Sequence, residues 1–423
     1  MTTTITVKAG PMTHGGACVC HHHNKVGFIR NAIPGETVKV LITQELSKRF
    51  YGTVIDVVEA SEHRREHFWP EAVNNDIGGT EYGHIALDHQ RYLKAEVLRD
   101  AFSRVGGRDL AYHMDGFDIP FYPAPSDAAG GCDAGRGWRT RVEVVMTSEG
   151  IGMHQYRGSH CVPVKQLPFV SKKITDCDIF GAHCALAKIA QPGQRIRLVH
   201  DNKRVVACVD DALFEECDGV FVPTKDDVMH YRVGDDLFDV SALGFWQAHT
   251  DAPCVLRESV TRMINTVRAH LAPSQISAVE FYAGAGLLSL ELLRRCHSVW
   301  TFEGSVRAVA DAKKNMSTAG LTVEHAGRAF INAKQVARAA QRIKTPDLVV
   351  LDPPRQGAGT QMMKALAQWG PSAIILVACD LASAARDLGV LHRCQYRITQ
   401  AECHDLFPYT PHIESVFLLE RGN

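Results

Sequence analysis

The stretch Ser277-Ala-Val-Glu-Phe-Tyr-Ala-Gly-Ala-Gly-Leu-Leu-Ser-Leu-Glu-Leu-Leu-Arg-Arg295 decides the fold. Its first seven residues are an apolar, β-prone run that breaks at Gly284-Ala285-Gly286 and resumes with helical apolar spacing. Two glycines let the backbone turn sharply and approach a ligand at the carboxyl end of a first strand. A second strand, 298–303, ends in Glu303, placed to accept hydrogen bonds from ribose hydroxyls. The third glycine of the dinucleotide fingerprint is absent, since Leu287-Leu288-Ser289 follows Gly286. Close approach of two phosphates is thereby disfavoured, and a nucleoside cofactor without phosphates, such as S-adenosylmethionine, fits better. A sharp strand–helix turn with no ligand stays open as the alternative.

Downstream, the same alternation repeats: DLVVLD then MMKALAQW, and AIILVA then ASAARDLGVL. It predicts a doubly wound α/β domain with a largely parallel sheet. Upstream, five short strand-like runs punctuated by Gly and Pro fill residues 4–60 and suit a small β-barrel of the oligonucleotide-binding kind. Residues 86–105 carry Leu87, Tyr92, Leu93, Val97, Leu98 and Phe102 at the spacing of an amphipathic helix. From about 110 to 240 the pattern is strand-like and Gly/Pro-rich again.

At 423 residues the chain has room for two or three domains with their own cores. Its 45% hydrophobic and 22% charged residues exclude disordered, collagenous and coiled-coil classes. No apolar run approaches ~18 uncharged residues, so no membrane helix is expected. The N-terminus lacks a basic region and an apolar core, and the 13 cysteines are odd in number and scattered. Both point to a cytoplasmic chain with reduced thiols. The formal net charge of −1 argues at first against a polyanionic partner. Locally, however, residues 136–175 hold seven basic and two acidic side chains (+5), and residues 207–240 hold two basic and ten acidic (−8). The first is a candidate polyanion-binding strip, although two solvated faces with clustered charge would look the same.

The chemistry concentrates near the C-terminus. The strand DLVVLD runs into Asp352-Pro353-Pro354-Arg355-Gln356-Gly357, a rigid turn at the edge where open α/β sheets bind ligands. AIILVA ends at Cys379-Asp380 before a helix, whose N-terminus would lower the thiol pKa and favour the nucleophilic thiolate. An inert buried thiol is the alternative. Glu414, a lone acid in the apolar run PHIESVFLLER, is either an edge charge or a base beside that cysteine.

GxG, then DPPRxG, then a cysteine before a helix containing ARDL, then HDLFPYTPHIESVFLLER together resemble the RNA uracil-5-methyltransferase family. Phe245-Trp246-Gln247 is similar to the family's F-x-Q, and Pro34-Gly35-Glu36 falls in a segment similar to its TRAM domain. The resemblance covers nearly the whole chain. It implies a TRAM-like barrel over 1–62, a β-rich central RNA-binding domain over 63–85 and 109–245, and a Rossmann-like class I methyltransferase domain from 86–108 and 246–423. It implies Cys379 as nucleophile, Glu414 as base, and cofactor contacts from Gln247, Tyr282, Glu303 and Asp352, beside the glycine turn at Gly284 and Gly286. Uracil C5 is a poor nucleophile, and thiolate addition at C6 activates it. Arg355, Arg139, Arg141, Arg157, Lys172 and Lys173 are the candidate RNA contacts. Ribosomal RNA is preferred over transfer RNA because the barrel resembles that branch, and a monomer is expected.

The chain departs from the family at several points. Many members hold an iron–sulfur cluster on four cysteines, where this chain has Trp69, Ile77, Thr80 and Leu167. No cluster is expected, and apolar packing should replace it. Leu287 and His249 stand where Asn is common, and Ala378-Cys379-Asp380-Leu381 replaces Ser-Cys-Asn-Pro. The dense Cys18-Val19-Cys20-His21-His22-His23 run lacks a second ligand pair, so strand alternation explains it better than zinc. Three competitors are weighed. A noncatalytic RNA-binding protein with a decayed domain would not retain Cys379 and Glu414. An amino-methyltransferase needs an aromatic residue where Arg355 stands. A dinucleotide oxidoreductase needs the third glycine.

Overall fold

The computed structural model describes residues 3–128, 130–131, 133–270 and 276–422. Five strands build the N-terminal barrel in the order Thr4–Lys8, Thr37–Glu45, Arg49–Glu59, Lys25–Arg30, Cys18–His22. Strand alternation buries Ile5 and Val7 and exposes Thr4, Thr6 and Lys8. The same rule turns the Cys18 and Cys20 side chains into the barrel core and leaves His21 outside. Burial pushes the Cys20 thiol up to about 11, the opposite of what a metal ligand needs.

A seven-stranded antiparallel sheet follows, from Arg141–Thr147 to Val220–Thr224, and a separate hairpin pairs Val228–Val233 with Asp236–Ser241. One core packs this sheet, and Trp69, Ile77 and Leu167 lie buried within it, Trp69 against Phe169. Thr80 is buried as well. Side chains thus occupy all four positions at which the family's cluster cysteines would stand. Among the described residues no group of three or more His, Cys, Asp or Glu side chains is placed to hold a metal ion.

The C-terminal half forms an eight-stranded sheet in the order His325–Arg328, Ser298–Glu303, Ser277–Phe281, Leu348–Leu351, Ala373–Ala378, Glu414–Arg421, Tyr396–Asp405, Phe121–Pro123. The first five are parallel, and Glu414–Arg421 runs antiparallel to both of its neighbours. Leu348–Leu351 and Ala373–Ala378 are buried throughout, because helices cover both faces of a parallel sheet. This is the Rossmann-like α/β arrangement expected from the alternation of strand and helix patterns and from the family resemblance. The strand order reverses between Ser277–Phe281 and Leu348–Leu351, which opens a crevice at their carboxyl ends.

The amphipathic helix forms at Leu87–Ala101 and continues as one π-turn to Gly106. It belongs spatially to the C-terminal half. Lys94 Nζ, with no exposed surface, donates to Asp405 Oδ1 at 2.6 Å, and Phe102 meets Phe417 edge to face. No helix among the described residues is long and apolar enough to cross a membrane.

Candidate active site

A cleft of about 1050 Å³ opens at the carboxyl ends of the parallel strands and runs toward the central sheet. Its floor begins at Tyr282, held at φ +66°, a left-handed conformation that costs a side-chain-bearing residue roughly 1 kcal/mol or more. Gly284 follows at φ +54°, with no atom within 4 Å of where a Cβ would sit, so its backbone faces open space. Its N–H donates to Glu303 Oε2 at 3.0 Å, while the Ser305 N–H donates to Oε1 at 2.8 Å. The carboxylate is thereby fixed by two backbone donors, and each oxygen keeps a lone pair for a diol. Gly286 is absent from the cleft wall; its α-carbon packs the turn against Ala312.

Six acids line this cleft, and four of them, Glu280, Glu303, Asp352 and Glu414, come from the strands of the catalytic sheet or their carboxyl ends. Burial pushes Asp352 up to about 7, and burial with the Asp352 charge raises Glu414 well above the carboxylate range. Burial, only partly opposed by the Ser289 hydroxyl, raises Glu280 to about 8. Acids whose charged form is disfavoured by burial fit a cationic ligand, and Gln247 and the Tyr282 ring line the same wall. The residues present therefore fit a nucleoside bearing a positive centre.

Cys379 lines the cleft with Glu414 and Arg355. The sequence predicted a thiol acidified by the helix Leu381–Arg393, and that expectation is corrected. Burial first, then the Glu414 and Asp352 carboxyls, push the thiol up to about 12, and the helix end is already occupied. Asp380 Oδ1 caps it by accepting from the Ser383 N–H at 2.8 Å. Arg355 opposes this rise, is exposed at the rim, and makes no ion pair among the described residues.

The basic strip divides. Arg139 and Arg157 line the cleft, Arg157 stacking over Tyr156 at 5.1 Å. Arg141, a predicted RNA contact, is 7% exposed; its guanidinium donates to the carbonyls of Ala242 and Gly244 at 2.8 and 3.0 Å. It braces the turn leading into Phe245-Trp246-Gln247, which commits its Nη2 to the protein's own backbone. Lys173 is tied to the carbonyls of Asp201 and Asn202, and neither it nor Lys172 lines the cleft. His249 is buried against Trp138, its Nδ1 accepting from the Asp251 N–H at 3.0 Å, whereas Leu287 does line the cleft.

Sequence reasoning passes over Glu280 and His412, both on the cleft wall. Glu280 carries the signal that exposed Glu414, a lone acid in an apolar strand. His412 sits in the turn before Glu414 and carries no comparable mark.

Comparison with known proteins gives a consistent picture. The family described as tRNA (Uracil-5-)-methyltransferase matches residues 254–422. An uncharacterized RNA methyltransferase of Bifidobacterium longum is 30% identical, covering 96% of this chain and 94% of its own. Another, of Streptomyces avermitilis, is 31% identical over 98% of this chain and 97% of its own. Among solved structures, the Pyrococcus abyssi tRNA (uracil-54, C5)-methyltransferase in complex with S-adenosyl-L-homocysteine superposes with a TM-score of 0.67. It is 18% identical and covers 98% of this chain and all of that one, a likeness of fold.

Proposed function

Because the chain belongs to the RNA uracil-5-methyltransferase family, we propose that it methylates C5 of a uridine in RNA through a covalent Cys379–C6 adduct, with S-adenosylmethionine as methyl donor. The observation that carries this reading is the meeting of Cys379, Glu414, Asp352 and Glu303 in one cleft at the strand-order reversal. Bound S-adenosylmethionine supplies an electrophilic methyl on a sulfonium. Glu303 would hold its ribose, and Gln247, Tyr282 and Asp352 its remaining polar and cationic parts.

The protein's own residues perform the rest. Cys379 is reached by a uridine extruded from its stack. Its Sγ adds to C6 and raises electron density at C5. After methylation C5 carries one proton too many. Glu414, ionised once positive charge has occupied the cleft, takes that proton, the C5–H electrons form the C5–C6 double bond, and Sγ leaves. The raised thiol makes nucleophile activation conditional: Cys379 ionises only when cationic charge in the filled cleft offsets Glu414 and Asp352. Arg355 at the rim is placed to contribute.

The reading includes an N-terminal barrel (1–62), a central RNA-binding unit (63–85 and 109–245) and a discontinuous catalytic unit (86–108 and 246–423). Ribosomal RNA is its preferred substrate, on the strength of the barrel, with transfer RNA as the alternative. RNA containing 5-fluorouridine tests the mechanism, because that base cannot lose its C5 substituent. A denaturation-resistant complex that disappears in C379S is expected; a catalytically active enzyme that never traps sinks the covalent reading. Mapping 5-methyluridine in total RNA from cells with and without the gene identifies the substrate.

A further inference from the structure

One turn of the N-terminal barrel reaches the loop of the catalytic cysteine. Thr13-His14-Gly15-Gly16 is closed by the Thr13 N–H and hydroxyl, both donating to the Ala17 carbonyl at 2.8 and 2.7 Å. The turn is pressed inward. At Gly16, φ +79°, a Cβ would lie 3.3 Å from both Glu81 and the Tyr82 ring and 3.5 Å from Pro411, in the turn that leads to Glu414. At the tip, His14 Nε2 lies 2.8 Å from Asp380 Oδ2.

Asp380 follows Cys379 directly, and its two oxygens are divided between two tasks. Oδ1 caps the helix Leu381–Arg393, and Oδ2 is held by the barrel. The carboxyl, which burial alone would raise, is held down at about 2 by His14 and the Ser383 N–H. No proline restrains Ala378-Cys379-Asp380-Leu381; strand pairing holds Ala378 and the helix cap holds Asp380, and the cross-domain contact adds a restraint on the side of the loop away from the sheet and helix.

We propose that His14 is a positioning residue for the methyl-transfer reaction: through Asp380 the barrel turn fixes the Cys379 loop, so that the N-terminal unit completes the catalytic centre as well as contacting RNA. The inference rests on the reading of Cys379 as nucleophile. A nucleophile must be held within reach of its target carbon, and a displacement of about 1 Å can lower the rate a hundredfold.

The test compares full-length wild type, H14A, H14Q, D380A and H14A/D380A on total RNA from cells lacking the gene. H14A is expected to lower kcat about tenfold or more, with KM for RNA within about twofold. H14Q, whose amide can still donate to Asp380, recovers most of that loss, and H14A adds nothing on the D380A background. The rate of trapping on 5-fluorouridine RNA falls in step with kcat. An unchanged kcat in H14A, a loss confined to KM, or independent effects in the double variant would overturn the proposal. If H14A does not fold, H14Q against H14L, which is similar in bulk, decides the same question. Wild type that methylates without trapping removes the nucleophile reading. Wild type and H14A that trap equally fast remove only the role of His14.

Discussion

Replacing Glu280 with glutamine isolates the electrostatic state of the cleft. Glu280 lies in the middle strand of the catalytic sheet, is 2% exposed, and takes its hydrogen bond from the Ser289 hydroxyl. Burial, reinforced by Asp352 and Glu303, raises its carboxyl from an ordinary 4.5 to about 8. The folded protein therefore binds one more proton at this site than the unfolded chain across that interval. Its contribution is full below the lower value and is lost as pH rises to the upper one. One proton corresponds to about 1.4 kcal/mol per pH unit, so the wild type should lose about 3 kcal/mol at this site between about pH 5.5 and 7.5. E280Q has no such proton to lose. Urea unfolding of the full-length protein, followed by tryptophan fluorescence at three pH values, should show the variant gaining on the wild type as pH rises. Parallel pH profiles for the two proteins would refute the argument, because they would mean that Glu280 is ionised in the folded state. The same logic makes binding of a cationic ligand proton-linked: calorimetry in buffers of different ionisation enthalpy should register proton release by the wild type and less by E280Q.

Other perturbations separate the roles of the remaining residues. E414Q should form the adduct on ordinary uridine-containing RNA but fail to resolve it, so a slow-migrating complex should accumulate in denaturing gels; turnover at the wild-type rate would exclude Glu414 as base. W69A empties a fully buried position in the central core and should destabilise that region by about 3–5 kcal/mol in thermal unfolding, a loss that an exposed or loosely packed Trp69 would not show. R139A should weaken RNA binding and reduce the slope of log affinity against log salt by about one, whereas K172A, away from the cleft, should leave both unchanged.

The elements that position the site were legible because local pattern and tertiary environment agree. The run AIILVA is a strand from end to end, and the five barrel runs become five strands. Glu414 stood out as a lone acid in an apolar run, and Cys379 as a thiol in the loop between a strand and a helix. What could not be read was the fate of charge. Arg139 and Arg141 are two residues apart on one stretch of chain and both donate to backbone carbonyls, yet only Arg139 also lines the cleft. Sequence carries no mark of that difference, since both are arginines in a basic strip. The thiol pKa departs from the sequence expectation because a helix N-terminus is a local cue, while the burial that chiefly raises it and the Glu414 and Asp352 carboxyls that add to it depend on other strands. His14 and Asp380 meet across almost the whole chain, where no periodicity reports.

The edge strand Phe121–Pro123 and the helix Leu87–Ala101 bear on how the protein is made. Lys94 and its partner Asp405 are 311 residues apart, so the ribosome delivers one about 15–60 s before the other at ~5–20 residues per second. Throughout that interval the helix presents Leu93, Val97, Leu98 and Phe102 without the surface that will bury them. The barrel and central sheet can fold as they emerge, but this helix must wait for the last strands. Conversely, the region 254–422 expressed alone would leave Tyr396–Asp405 as an open sheet edge and Asp405 as a buried carboxylate without its cation. A catalytic half made without the helix Leu87–Ala101 and the strand Phe121–Pro123 therefore lacks both the cations and the edge strand that complete it.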